Sequence, residues 1–156
     1  MSDDLKHVNW RRAQPLPTAL AKYLKANFLQ ISATGIYNDR NVAGTTKKSA
    51  HAEGRALDVH LSVKRPDEKL IGDQLFRILA EAAHQTGIDN VIWNREIWSR
   101  ARGKHFYHGK NPHTDHIHIE FTRGGSQLTV WQLLELKVAQ LRTGLEELSR
   151  AKANIG

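Results

Sequence analysis

The strongest constraint on this chain is a pair of short alternating segments. In Ala56-Leu57-Asp58-Val59-His60-Leu61, Leu57, Val59 and Leu61 alternate with Asp58 and His60. In Asp115-His116-Ile117-His118-Ile119-Glu120-Phe121, Ile117, Ile119 and Phe121 alternate with His116, His118 and Glu120. Successive side chains of a strand point to opposite faces, so each segment reads as a strand with one apolar face and one face of imidazole and carboxylate. Solvated strand faces more often carry Lys, Glu, Thr and Ser. If the two strands are antiparallel neighbours, Asp58, His60, His116, His118 and Glu120 crowd one surface while the other packs on helices.

The rest of the chain supplies those helices. Pro15 and Pro17 precede a segment in which Leu20, Tyr23, Leu24 and Phe28 have the spacing of one buried helix face, ending near Asn27. Leu29 to Tyr37 reads as a strand with a soft spot at Gly35, and residues 38–50 as a long polar loop carrying Arg40, Lys47 and Lys48. Pro66-Asp67-Glu68 opens a second helix with apolar positions Leu70, Leu75, Ile78, Leu79 and Ala82, stopped near Gly87. Residues 90–94 form a short strand followed by Ile97-Trp98. Residues 99–114 read as a second long loop. Gly124-Gly125 breaks the chain before a helix from about Leu128 to Lys152, where Leu134, Val138, Leu141, Leu145 and Leu148 make a heptad-like seam. Residues 1–14 read as an extended arm docking through Trp10. The fold class expected is α+β: a small central antiparallel sheet flanked by helices, with a catalytic-type domain over 1–126 and a helical extension over 127–156.

Composition narrows the chemistry. The 156 residues include no cysteine, which excludes disulfides and thiolate metal sites. Any metal must be held by His, Asp or Glu, and the chain has nine histidines. The net charge of +7 favours an anionic partner, with nucleic acid and the bacterial envelope both eligible. No apolar run reaches bilayer length, so no membrane span is expected. The opening residues lack the form of a signal peptide, so the chain is expected to be made in the cytoplasm and carried elsewhere to act.

A catalytic zinc site needs three nitrogen or oxygen ligands and an open position, and a general base nearby. His51, Asp58 and His118 can supply the ligands, and Asp115 or His116 the base. A His-x-His pair on a strand is commonly polar surface, and Gly54 could be an ordinary turn glycine. The combination with Ser49 and Ala56 is what sets this pattern apart.

Ser49-x-His51-x-x-Gly54-x-Ala56-x-Asp58, followed by His116-x-His118, resembles the paired motif of the zinc peptidases related to lysostaphin, the D-Ala-D-Ala metallopeptidases and the hedgehog signalling domain. Residues 91–99 and 111–118 are similar to a branch found in actinobacterial cell-wall proteins and phage lysins. The resemblance implies zinc held on the sheet by His51, Asp58 and His118. It implies His116 beside the metal as transition-state stabiliser or acid/base, and Asp115, three residues before the last ligand, as general base. Ser49 and Arg40 match positions that contact substrate. His60 and Glu120 fall outside the motif and read as supporting or surface residues, and His105, His108 and His113 as a mobile surface loop.

The expected function is therefore zinc-dependent hydrolysis of an amide bond in peptidoglycan peptides, endopeptidase rather than carboxypeptidase. The setting would be a phage lysin or an injected antibacterial effector acting at the cell wall or periplasm. The C-terminal helix could pack on the core or bind an immunity or carrier protein. One alternative is a basic nucleic-acid-binding or nuclease domain, against which stands the scatter of basic residues without a recognisable module. Another is a non-catalytic module that binds the wall or a protein.

Overall fold

The computed structural model describes residues 3–128 and 131–155. Thr129 and Val130, inside the expected C-terminal helix, lie outside the described residues. The fold is α+β. Among the described residues, three α-helices, α1 (Pro15–Asn27), α2 (Pro66–Thr86) and α3 (Trp131–Ile155), accompany one six-stranded antiparallel sheet. Its strands are β1 (Thr34–Gly35), β2 (Ala56–Val59), β3 (Ile88–Trp93), β4 (Glu96–Ser99), β5 (Gly103–Phe106) and β6 (Ile117–Phe121), ordered β1-β2-β6-β3-β4-β5. Among the described residues, no helix is long and apolar enough to cross a membrane.

The two alternating segments are indeed neighbours. Register pairs Asp58 with His118 and Leu57 with Ile119, and β6 in turn pairs His118 with Ile92 on β3. Leu57, Val59, Ile117, Ile119 and Val91 therefore share a face, and all are fully buried against the helices. The opposite face carries Asp58, His118 and Glu120 between β2 and β3.

The helices form as their patterns dictate. In α1, Leu16, Leu20 and Leu24 are buried at four-residue spacing, and Pro15 and Pro17 occupy the first turn, where a missing N–H costs nothing. In α2, Glu68 accepts from the Ser62 backbone N–H at 2.7 Å and from Arg65 at 2.8 Å, tying the helix start to the chain leaving β2. Gly87 ends α2 in the left-handed conformation, φ +70, its N–H reaching Ala83. Leu70 is 42% exposed and Ile71 takes the buried place instead. In α3 the seam is buried at Leu134, Val138 and Leu141, while Leu148 is 58% exposed, so its first half packs on α1 and α2.

Two expectations require correction. Only Thr34–Gly35 of the expected 29–37 strand pairs regularly. β1 is a sheet edge with one partner; Leu29 is 95% exposed and Ile31 turns inward to join the core. Residues 99–114 are not one loop, because Gly103–Phe106 pairs with β4 as a hairpin, closed by a short turn with Gly103 at φ +69. Gly-Lys-His-Phe has weak strand propensity, and its partner strand imposes the conformation.

Candidate metal centre

His51 begins a single 3-10 turn, His51–Glu53, on the exposed side of β2. Ser49 builds that turn: it is buried, and its carbonyl and hydroxyl both accept from the Ala52 N–H. Gly54 closes it at φ +66, its N–H returning to the His51 carbonyl. A Cβ at Gly54 would lie 1.7 Å from the Arg12 carbonyl oxygen, so the N-terminal arm can reach the turn only over a glycine. The arm is secured there by Gln14, which is buried, donates to the Glu53 carbonyl and accepts from Gln127, rather than by Trp10 alone.

The result is an imidazole held in one tautomer. His51 Nδ1 lies 2.6 Å from the Ile36 carbonyl, which can only accept, so Nδ1 carries the proton. Nε2 is left with a lone pair; it is buried, forms no hydrogen bond, and lies 3.2 Å from Asp58 Oδ1. A lone pair facing a carboxylate in a buried place calls for a cation between them.

His118 meets the same carboxylate from β6, with Nδ1 3.0 Å from Asp58 Oδ1. Its Nε2 faces Glu120 Oε2 at 3.5 Å, and Glu120 is in turn gripped by Arg55 at 3.0 Å. One donor atom each from His51, Asp58 and His118 lie within 4.8 Å of one another, and this group can hold a metal ion. Two imidazole nitrogens, one ring backed by the Ile36 carbonyl and the other by the Glu120 carboxylate, and the Asp58 carboxylate oxygen form a donor set that fits one.

The electrostatics are those of a compact charged cluster. Burial works to raise the Asp58 carboxyl, but the hydrogen bond from His118 prevails and holds it below the usual carboxylate range. Burial opposes the charged form of His118, yet Asp58 and Glu120 push it up to about 9. Glu120, despite burial, is drawn down to about 2 by His118 and Arg55.

His116 stands at the rim. Its Nδ1 donates to Asp115 Oδ1 at 2.7 Å, and its Nε2 points inward, 3.7 Å from Asp58 Oδ1. The Asp115 side chain is 78% exposed and bonds to His116 rather than to the ligand group; that bond lowers its pKa. Asp115 and His116 both precede the ladder, which begins at Ile117, so strand alternation does not separate their side chains. Arg40 is exposed on the 38–50 loop and joins the site through its carbonyl, which accepts from the Ser49 N–H at 3.1 Å. The His60 ring lies 5.8 Å from that of His116.

His113 is the residue that the sequence concealed. Of the three histidines expected on a surface loop, His108 is exposed, His105 lies on strand β5, and His113 is 7% exposed, with its ring 4.7 Å from His116 and 5.7 Å from His118. Its backbone is left-handed, φ +54, as are Asn94 and Arg95 in the β3–β4 turn. The three are bound together: Asn94 N–H donates to the His113 carbonyl at 2.8 Å and Arg95 N–H to Pro112 at 2.9 Å. Its Nδ1 donates to the Asn111 carbonyl at 2.7 Å, and burial with its histidine neighbours pushes the ring down to about 4. Nothing in a loop's local pattern announces such a placement. The Asn111-Pro112 turn that fixes it was the available clue.

No curated protein and no solved structure matches this chain. One family model, described as VldE, C-terminal domain, matches residues 9–118. The match runs from the docked arm to the last strand's second histidine and takes in His51, Asp58, His113, His116 and His118. Covering more than two thirds of the sequence and the whole of this cluster, it places the chain in the VldE C-terminal domain family.

Proposed function

We propose that this chain is a zinc-dependent peptidase that hydrolyses an amide bond in bacterial peptidoglycan peptides, acting at the cell wall or periplasm as a phage lysin or antibacterial effector. The observation that carries the reading is the convergence of His51 Nε2 and His118 Nδ1 on Asp58 Oδ1, with each ring's other nitrogen turned to an oxygen partner. His51, Asp58 and His118 would hold the ion, and zinc suits a set of two neutral imidazoles and one carboxylate without thiolate. A bound zinc ion supplies Lewis acidity for attack of water on the amide.

The chain's own residues supply the proton transfers. His116, its Nδ1 proton committed to Asp115, offers Nε2 as the base that takes a proton from the attacking water. It returns that proton to the departing amine nitrogen as the carbon–nitrogen bond breaks. Asp115 holds the tautomer and stabilises the imidazolium from outside. Of the two candidates for the base, the geometry favours His116 with Asp115 as its support. The ligand residues sit on the sheet face away from the helices, where an extended peptide can cross β2 and β6, which favours cleavage within a chain over trimming its end. Arg40, exposed on the neighbouring loop, suits a peptide carboxylate or carbonyl.

The test is a digest of purified peptidoglycan by metal-loaded protein, read by mass spectrometry with and without a chelator, alongside His118→Ala. New fragments that vanish with chelator and in the variant are expected. An unchanged wall from folded, zinc-loaded protein would overturn the reading.

A further inference from the structure

Strands β4 and β5 carry the sheet past α2 and leave its helix-side face open at that end. By register, Trp98 and Lys104 share this face with Val91, and Glu96 and Phe106 share it with Trp93. Between this face and α2 runs a groove of about 590 Å³, in the range of small-molecule sites. Phe76 and Trp93 are buried in its floor, and Trp98 lies half-buried beside them. The floor is rigid: the Trp93 indole N–H donates to Asp73 Oδ1 at 2.9 Å, and its ring lies so close to α2 that a Cβ on Gly72 would be 2.3 Å from it.

The rim is made of opposite charges already matched. Lys69 pairs with Asp73 at 2.6 Å and Lys104 with Glu96 at 3.2 Å, all four side chains being between about two fifths and three fifths exposed. An ion of either sign would be attracted by half of this rim and repelled by the other half. A wholly apolar ligand would cover the rim charges without bonding them. A sugar fits both parts: its C–H face stacks on indole, and its hydroxyls donate to carboxylates and accept from ammonium groups.

We propose that this groove is a saccharide-binding site for the glycan strand of the wall; the choice of amino sugars rests on the proposed peptidase function. Asn94 lines the groove, and its backbone N–H holds the His113 carbonyl. The β3–β4 turn thus joins the edge of the groove to the loop that carries His113, so a glycan seated on the helix-side face borders the segment that leads to the cluster on the other face.

Tryptophan fluorescence of the whole chain, titrated with the soluble tetramer of N-acetylglucosamine, tests this. Saturable binding is expected. Trp98→Ala should weaken it by about tenfold or more, as truncation of a central aromatic anchor does. Lys104→Ala, on the exposed rim and remote from the core, should weaken it severalfold even if Trp98→Ala loosens β4. His118→Ala should leave it unchanged. Absence of saturable binding, or undiminished binding by both groove variants, would overturn the proposal. Wall hydrolysis without oligosaccharide binding removes the groove and leaves the peptidase; oligosaccharide binding without hydrolysis removes the peptidase and leaves the groove.

Discussion

Glu120 and Arg55 touch no proposed substrate, yet they decide how His118 presents Nδ1. Carboxylates behind a metal-binding imidazole set its tautomer and basicity, and losing one typically costs about 10–100-fold in metal affinity. Glu120→Gln should therefore weaken zinc binding by that factor in a chelator-competition titration, with His118→Ala losing it far more completely. At the rim the expectation reverses. Asp115→Ala removes the acceptor that fixes His116 while leaving the ligand group intact. It should lower kcat, with His116→Ala lowering it by about 10²–10⁴-fold, at unchanged metal affinity. Equal loss of metal in both rim variants would move His116 from proton transfer to metal support. The three residues that can hold a metal ion were legible in the sequence because alternation and motif spacing are local. His113 was not, because a left-handed loop residue buried by a distant hairpin has no periodicity to betray it.

The turn at 51–54 is the element on which the site depends, and it couples the N-terminal arm to His51. Gly54→Ala combines a strained φ with collision against the Arg12 carbonyl, and should destabilise by more than the ~1–2 kcal/mol of a left-handed residue alone. Gly103→Ala, with the same sign of φ but open space around it, should cost only that ~1–2 kcal/mol; denaturant unfolding of the two variants separates the causes. Glu53, on the same turn, bonds Arg55 and Arg123. Although burial opposes it, those guanidinium groups depress its pKa below the ordinary value. A depressed folded-state pKa gives stability that is present above the unfolded value, near 4.5, and is lost as pH falls through the folded value. Glu53→Gln should then lower stability at neutral pH and flatten the acid limb, read from melting temperature against pH. The limits of α1 and α2 and the start of β2 were legible in the sequence, since proline, glycine and apolar spacing act within a few residues, whereas α3 runs Trp131–Ile155 rather than from about Leu128 to Lys152. β5 and the shortness of β1 were not, because an edge or hairpin strand exists by virtue of its partner.

Across the whole molecule, helices on one face and ligand residues on the other divide stability from chemistry. Leu134→Ala, at a fully buried position of α3, should cost about 2–5 kcal/mol, whereas Leu148→Ala, on the exposed half, should stay within about 0.5 kcal/mol by equilibrium unfolding. The half of α3 beyond Leu145 is thus free of the core's demands. Arg55, Arg65, Lys69, Arg77, Lys104, Arg123 and Arg142 are each paired with a carboxylate. By itself the sequence determined which residues share a strand face, where the long helices start and stop, and that any metal must be bound by nitrogen and oxygen. Those properties follow from backbone geometry and composition over a few residues. Only the tertiary structure decided that Asp58 stands opposite His118, that His51 arrives from a turn and His113 from a loop, and that β4 and β5 outrun α2 to open a groove. Those outcomes depend on pairings between residues tens of positions apart, set by how the faces bury one another rather than by any local pattern.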